Sequence, residues 1–345
     1  MAPAPGPGPR VGILGAGSIG AYLGARLLGA GVDTVLVGRA ALGAAIREGG
    51  LRATDYAGGD LRLASGRVPY ATDPAALADR DVVFVTVKSG STAEAGAALA
   101  GALRPGVPVV SFQNGVRNAA ALRAAAPGAL VLAGMVPYNV LWRDGAHFHA
   151  GTSGALAVER AGEASRLAVG ALRRAGLEAH EHDDVPGVLW GKLVLNLNNA
   201  VNALSGLTLR EELSRRGYRR VLAALQREAL AVLRRAGVRP RRSGPAPPAL
   251  VPHVLGLPDA LFFRVARGMI TIDPLARSSM WDDFERGRPT EIDQLNGEIV
   301  ALARSVGAPA PYNEAIVALV KAVEAGREAR GWTPAALAAR LGLRL

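Results

Sequence analysis

The lysines of this chain are the first residues whose chemistry stands out. The 345-residue sequence contains three of them, Lys88, Lys192 and Lys321, and otherwise uses arginine as its long cationic side chain. A lysine ammonium is a compact charge whose pKa its surroundings can shift, which a guanidinium does not allow. Lys192 lies in the apolar stretch WGKLVLNLNN, which is predicted to be helical. We therefore treat Lys192 as a candidate proton donor.

Asparagines surround Lys192 on the predicted helix. At about 100° per residue, Asn196 and Asn199 fall on the face of Lys192, whereas Asn198 points away. Amides and an ammonium that leave water need hydrogen-bond partners. These side chains either cap backbone groups inside the domain or line a polar cleft. We favour the cleft, where Lys192 can protonate an oxygen that becomes an alcohol as hydride arrives at its carbon.

A second polar cluster follows in SSMWDDFERGRPTEID. Its members are Ser278, Ser279, Asp282, Asp283 and Glu291. The piece RPTEID is predicted to begin a helix with Thr290 as its cap. On spacing alone, Glu291 is either a site residue or a first-turn carboxylate that the helix dipole favours.

A glycine-rich loop stands between an apolar strand and a predicted helix over 18–29. Its residues are Gly15, Ala16, Gly17, Ser18, Ile19 and Gly20. Gly15 permits the turn, Gly17 lets the backbone approach a pyrophosphate, and Gly20 lets the helix pack on the strand. The helix N-terminus offers N–H groups to anionic oxygens. The context predicts dinucleotide binding rather than a merely tight turn.

The second strand selects the dinucleotide. It ends in LVGR, so Arg39 stands where an NAD-specific site would place a carboxylate. A guanidinium pairs well with a 2′-phosphate. We therefore expect NADPH, against the alternative that Arg39 is one more surface arginine.

Short β-branched runs alternate with helical segments up to about Asp184, and long amphipathic helical patterns follow. This order predicts an α/β fold with a mostly parallel sheet and helices on both faces, joined to an all-α domain. We expect a disordered tail at 1–10, a Rossmann-type domain at 11–183 and a helical domain at 184–345. The proline-rich segment Arg239–Pro252 is predicted to interrupt the helices.

Composition excludes several classes of protein. No apolar run is long enough for a membrane span, no signal peptide is recognisable, and cysteine is absent, which together favour a cytoplasmic protein. The net charge of +11 permits nucleic-acid binding, but the arginines are scattered or lie on an amphipathic helix, so we expect no such partner. We expect no metal at the pairs His147/His149 and His180/His182, which lack further ligands. The Gly-x-Ser-x-Gly motif is absent, so the sequence gives no support for hydrolase chemistry.

The motifs taken together resemble the ketopantoate reductase family. VGR after the glycine loop, VTVKS, FQNGV, WGKLVLN, SSMWDDFERGRPTEID and APAPYNEAIVALVKAVE occur in the family's order and spacing. The resemblance covers nearly the whole chain beyond the tail. It implies a Rossmann domain with a helical C-terminal domain, and NADPH-dependent reduction of 2-dehydropantoate to pantoate for coenzyme A synthesis.

The resemblance also implies roles for individual residues. Lys192 and Glu291 resemble the catalytic pair, in which the lysine protonates the C2 ketone and the carboxylate holds the substrate hydroxyl. Ser279 resembles the serine at the substrate carboxylate, and Asn196 a substrate-binding amide. Arg39 resembles the 2′-phosphate arginine. At the nicotinamide side, the family's cofactor and substrate contacts correspond to Lys88 and Asn114.

The sequence departs from the family pattern at Ala200, where some members carry a second substrate asparagine. Asn199 is a substitute on the predicted helix face. The alternatives are an NADPH-dependent reductase of another branched 2-oxo acid and a non-enzymatic NADPH-sensing protein. We expect the protein to be a monomer or a homodimer. Lys192, Ser279 and Glu291 together argue against a sensor.

Overall fold

The computed structural model describes residues 8–244, 246–266 and 276–344, which fall into two units, 1–185 and 186–345. Residues 1–7 of the predicted tail lie outside the described residues. Arg10 donates to Asp81 from its backbone N–H and its guanidinium, each at 2.9 Å. Arg10, the last residue of the predicted tail, is therefore bound to the first unit.

The first unit is built on an eight-stranded sheet whose order is β12-β11-β8-β7-β6-β1-β2-β5. Its pairings are parallel except that between β11 and β8. The strands of the unit are β1 Val11–Leu14, β2 Thr34–Val37, β3 Leu51–Asp55, β4 Asp60–Leu63, β5 Tyr70–Ala71, β6 Val82–Val85, β7 Pro108–Ser111, β8 Leu130–Met135, β9 Val140–Trp142, β10 His147–Ala150, β11 Leu156–Glu159 and β12 Ala179–His182. Central strands β1 and β6 are buried along their whole length, as a sheet covered on both faces requires.

The helices of the first unit connect these strands. They are α1 Ser18–Gly29, α2 Ala40–Gly49, α3 Thr92–Ala102, α4 Asn118–Ala125 and α5 Glu163–Arg174. Helix α1 spans the residues that the sequence predicts.

The sequence did not predict a second sheet, which has the order β4-β3-β10-β9. All four of its strands contact α1. Since α1 also contacts β1 and β2, the small sheet forms a further layer outside the helix that covers the large sheet on this side.

Every regular element that the structure describes in the second unit is a helix, as predicted. The helices are α6 Val185–Asn196, α7 Asn198–Ser205, α8 Leu209–Ser214, α9 Arg216–Arg235, α10 Val251–Leu255, α11 Asp259–Val265, α12 Ser279–Glu285, α13 Asn296–Ser305, α14 Pro311–Glu324 and α15 Pro334–Leu341. The described residues between α9 and α10 form no helix. Pro252 falls in the first turn of α10, where its missing N–H costs no hydrogen bond.

None of the described helices combines the length and the apolar character that crossing a membrane requires.

Candidate active site

The glycine loop has the geometry that its three glycines predict. Gly15 has a φ of +103°, in the left-handed region that favours glycine. A Cβ at Gly20 would lie 2.5 Å from the carbonyl oxygen of Gly15 and against the hydroxyl of Thr86, so α1 packs directly on the strands. A Cβ at Gly17 would contact no side chain. The backbone is therefore tight beneath the loop and open above Gly17, at the start of α1.

Arg39 lies at the corner that follows β2. It is the N-cap residue of α2, its side chain is exposed, and its carbonyl oxygen accepts a 2.8 Å hydrogen bond from the Tyr70 hydroxyl. Burial raises the pKa of Tyr70, and the charge of Arg39 partly opposes this effect. The guanidinium is thus near the end of β2, with no carboxylate at this strand end in the sequence.

Lys88 and Asn114 lie in loops that follow neighbouring strands, β6 and β7. The hydroxyl of Ser89 donates to the carbonyl oxygen of Asn114 at 2.9 Å, which joins the two loops. The hydroxyl of Thr86 donates to the carbonyl oxygen of Gly15 at 2.7 Å, which joins the first of them to the glycine loop. Three loops therefore meet at the carboxyl ends of parallel strands, where open α/β sheets bind their ligands.

A buried polar network lies beneath these loops, and the sequence reasoning missed it. Asn118 donates to the hydroxyl of Ser89 at 3.1 Å and to the carbonyl oxygen of Asn114. Thr92 bonds to Asn118 at 2.9 Å and accepts from Gln113 at 2.7 Å. Part of the signal was present, because Gln113 lies in the FQNG motif and Asn118 follows it closely.

In the second unit, the helix that carries Lys192 is interrupted. Helix α6 ends at Asn196 and α7 begins at Asn198, with Leu197 between them. The carbonyl oxygen of Val194 accepts a 3.1 Å hydrogen bond from the side chain of Gln226. The predicted helix is therefore divided at Leu197, although this residue keeps helical φ and ψ of −57° and −19°.

The asparagines divide between the two interpretations of this segment. Asn202 is fully buried, and Asn198 donates to Glu212 at 3.3 Å, so these amides serve the interior. Asn196 and Asn199 are partly buried, and their side chains form no hydrogen bond with another residue that the structure describes. Both kinds of amide therefore occur within one short segment.

Lys192 is placed to exchange a proton near neutral pH. Burial lowers its pKa to about 8, and the negative charge of Glu291 opposes this shift. A lysine with this pKa remains mostly protonated at pH 7 and loses its proton more readily than an exposed lysine. The structure thus brings Lys192 and Glu291 together, although they are 99 residues apart in the sequence.

Glu291 does not occupy the first turn of a helix. Residues 291–295 form turns, and α13 begins only at Asn296. The hydroxyl of Thr290 accepts from the backbone N–H of Ile292 at 3.3 Å, so it caps a local turn. The prediction that RPTEID begins a helix is wrong, and the helix-dipole explanation of Glu291 is excluded with it.

The two serines of the SSM motif have different environments. Ser278 is buried and caps α12, since its hydroxyl accepts from the backbone N–H of Trp281 at 3.1 Å. Ser279 is the first residue of α12 and is exposed. Ser279 is therefore accessible to a ligand, whereas Ser278 holds the helix in place.

The histidines of β10 are explained by the small sheet. The hydroxyl of Thr54 lies 2.8 Å from His147 Nε2 and 2.8 Å from His149 Nδ1. Burial lowers the pKa of His147. The pair is thus hydrogen-bonded within its own sheet.

Two sequence profiles match most of the chain. One, described as Ketopantoate reductase PanE/ApbA, matches residues 11–163, and one described as its C-terminal domain matches residues 184–324. The chain belongs to the ketopantoate reductase family. It is an oxidoreductase that uses NAD(P)H.

Relatives of this family are similar over nearly their whole length. The 2-dehydropantoate 2-reductase of Mesorhizobium japonicum is 31% identical, with 92% of this chain and 99% of the relative covered. That of Archaeoglobus fulgidus is 29% identical over 92% of this chain and 98% of the relative.

Solved structures show the same fold. A PanE/ApbA family ketopantoate reductase from Ralstonia eutropha JMP134 has a TM-score of 0.77 and 32% identity, covering 92% of this chain and 99% of its own. A D-mandelate dehydrogenase, solved with NADH and anilino(oxo)acetate, has a TM-score of 0.77 at 20% identity over 92% of this chain and 99% of its own.

The position at which this ketopantoate reductase family member departs from the pattern lies in the core. Ala200 is fully buried in α7. Its neighbour Asn199 is partly exposed, so the Asn199 side chain is accessible to a ligand whereas position 200 is not.

Proposed function

We propose that this protein reduces 2-dehydropantoate to pantoate with NADPH, a step in coenzyme A synthesis. The observation that carries the proposal is the pairing of Lys192, with a pKa of about 8, and Glu291. The relatives named 2-dehydropantoate 2-reductase support the substrate.

The residues of the first unit fit a dinucleotide. The space above Gly17 and the N–H groups at the start of α1 suit a pyrophosphate, and the exposed Arg39 suits a 2′-phosphate. Lys88 and Asn114 would hold the nicotinamide side. NADPH, when bound, supplies the hydride that adds to the ketone carbon.

Lys192 supplies the proton that the reaction needs. As hydride adds to C2, the C2–O double bond becomes a single bond and negative charge develops on the oxygen. The ammonium of Lys192 hydrogen-bonds to this oxygen, transfers its proton and is left as a neutral amine, which solvent protonates again. A pKa near the working pH suits a group that gives up and regains a proton in each cycle.

Three further residues hold the substrate. Glu291 accepts a hydrogen bond from the hydroxyl of 2-dehydropantoate, and Ser279 donates one to the carboxylate. Asn196 binds beside the reacting ketone, with Asn199 as a second amide. Binding energy at these groups orients the ketone towards Lys192.

Another branched 2-oxo acid is the second candidate substrate. The observation in its favour is Ala200, where some members of the family have a substrate asparagine. A reductase with altered specificity would keep Lys192 and the cofactor loop and change only the contacts to the remainder of the substrate.

A substrate panel tests the proposal. NADPH oxidation is followed with 2-dehydropantoate, with branched 2-oxo acids that lack its hydroxyl and with an aryl 2-oxo acid, and the product is identified. We expect 2-dehydropantoate to give the highest kcat/KM, and NADH to be the poorer donor. A higher kcat/KM with another acid would identify that acid as the preferred substrate. No turnover with any of them would reject the proposal.

A further inference from the structure

We propose that Asn202 is a positioning residue that fixes the substrate serine, Ser279, through the backbone of Ser278. This inference rests on the proposed function, because it assigns a cause to the placement of a substrate-binding group. Asn202 lies in α7, whereas Ser279 opens α12. The two residues are therefore linked by the fold and not by the sequence.

The side chain of Asn202 forms hydrogen bonds in two directions. Its Oδ1 accepts from the backbone N–H of Ser278 at 2.9 Å. Its Nδ2 donates to the carbonyl oxygen of Leu207 at 3.1 Å and to Glu212 Oε2 at 3.0 Å. The amide is fully buried, so bulk water cannot replace these hydrogen bonds. Asn202 thus connects the start of α12 to the residues that follow α7.

Ser278 supplies a second link to the same helix. Its hydroxyl donates to the carbonyl oxygen of Asn199 at 3.3 Å and accepts from the backbone N–H of Trp281 at 3.1 Å. The two bonds from Ser278 to α7 start from adjacent groups on one residue. They define the asparagine–serine clamp, formed by Asn199, Asn202 and Ser278.

Glu212 supports the clamp by accepting a hydrogen bond from Asn202. It is fully buried, and burial raises its pKa to about 8, so it is protonated at neutral pH. Its helix, α8, begins with a capping box between Thr208 and Glu211. A neutral carboxyl group can accept from Asn202 without placing a net charge in the interior.

The clamp matters for binding because Ser278, its buried member, is the direct neighbour of the exposed Ser279. Ser278 is in the interior, and the next residue, Ser279, is exposed on the first turn of α12. Helix α12 is seven residues long, too short for its own hydrogen bonds to fix its position. A change at Asn202 should therefore move Ser279 relative to Lys192.

The test uses two variants of Asn202. Asn202→Leu keeps the branched shape with a larger volume and removes every hydrogen bond of the amide, whereas Asn202→Asp keeps an acceptor for the Ser278 N–H. We expect Asn202→Leu to raise the KM for the 2-oxo acid about tenfold, with kcat and the Kd for NADPH changed less than about threefold. Asn202→Asp should raise KM less than Asn202→Leu does.

Asn313→Leu is a matched control. Asn313 is also fully buried, and its Nδ2 donates to the carbonyl oxygen of Leu225 at 3.2 Å and to Glu228 at 2.8 Å. This variant should lose stability as Asn202→Leu does but keep its KM. A rise in KM of equal size in Asn313→Leu would show that loss of stability alone raises KM, and it would overturn the proposal.

A double-mutant cycle with Ser279→Ala separates positioning from structure. If Asn202 acts through Ser279, Asn202→Leu should change KM less than about twofold once the Ser279 hydroxyl is gone. A full tenfold rise in that background would contradict the proposal. If Asn202→Leu does not fold, Ser278→Ala, which removes one hydroxyl from the clamp, carries the same prediction.

Hydrogen exchange gives a readout that does not depend on catalysis. Asn202→Leu, or Ser278→Ala in its place, should speed the exchange of amides over residues 278–285, and Asn313→Leu should not. Unchanged exchange would overturn the clamp even in an active enzyme. Absence of wild-type turnover together with faster exchange would instead reject the proposed function and leave the clamp in place.

Discussion

Glu291 lies close enough to Lys192 for its negative charge to raise the lysine's pKa, while burial lowers it, and the balance is a pKa of about 8. Burial alone would favour the neutral amine, which has no proton to give. The carboxylate therefore favours the charged form of the lysine. In the proposed reaction the same carboxylate also holds the substrate hydroxyl.

This balance predicts how the reduction rate depends on pH. Lys192 must be protonated, so kcat should fall above pH 8, approaching about tenfold per pH unit. In Glu291→Gln the charge that raises the pKa is lost, so the fall should begin at lower pH. Both profiles are measured with saturating NADPH and 2-oxo acid. A kcat that stays level well above pH 8 would contradict the role of Lys192 as proton donor.

Arg39 should determine the preference between the two nicotinamide cofactors. Arg39→Ala removes the cation at the end of β2, so the KM for NADPH should rise about tenfold or more while the KM for NADH changes little. Arg47→Ala, an exposed arginine on the same helix, is the control and should leave both unchanged. An unaltered preference in Arg39→Ala would show that another residue binds the 2′-phosphate.

Two glycines of the cofactor loop should respond differently to alanine. In Gly20→Ala the new methyl group would meet the carbonyl oxygen of Gly15, so the free energy of unfolding should fall by about 1–3 kcal/mol. In Gly17→Ala it would meet no side chain, so the melting temperature should be kept and NADPH binding weakened about tenfold or more. Calorimetry of unfolding and of binding measures both effects. Equal losses of stability would contradict the loop geometry.

Glu212 should make stability depend on pH. Its pKa is raised from 4.5 to about 8, so its stabilising protonation is complete below pH 4.5 and is lost as the pH rises to 8. Relative to wild type, Glu212→Gln should therefore gain unfolding free energy across this window, at about 1.4 kcal/mol per pH unit at most.

Glu211→Gln is the control on the same helix. Hydrogen bonds from Thr208 lower the pKa of this exposed carboxylate, so its replacement should lose stability, relative to wild type, as the pH rises through the carboxylate range. Chemical denaturation at several pH values distinguishes the two variants. A pH-independent difference for Glu212→Gln would show that Glu212 is ionised in the folded protein.

Local patterns predicted the cofactor-binding part of the fold well. The glycine loop, β1 and α1 follow from a few consecutive residues, because the turn, the strand and the helix are each encoded locally. The small sheet β4-β3-β10-β9 could not be predicted in this way. Its pairing of β3 with β10 joins residues about 95 positions apart, for example Arg52 with His147, and no local pattern specifies such a partner.

The helix around Lys192 shows where an ideal periodicity stops being informative. The break at Leu197 coincides with a hydrogen bond from Gln226, a residue of α9, to the carbonyl oxygen of Val194. A helical wheel contains no term for a tertiary contact of this kind. Likewise, the sequence showed several asparagines near Lys192 but not which of them the buried Glu212 would engage.

The most direct test of the account compares Lys192→Ala with wild type for the reduction of 2-dehydropantoate by NADPH. Lys321→Ala, which removes an exposed lysine paired with Asp293 at 2.7 Å, is the control. The account predicts that Lys192→Ala lowers kcat by about 10²–10⁴-fold while the Kd for NADPH is kept, and that the control retains wild-type kcat. A Lys192→Ala variant with wild-type kcat would contradict it.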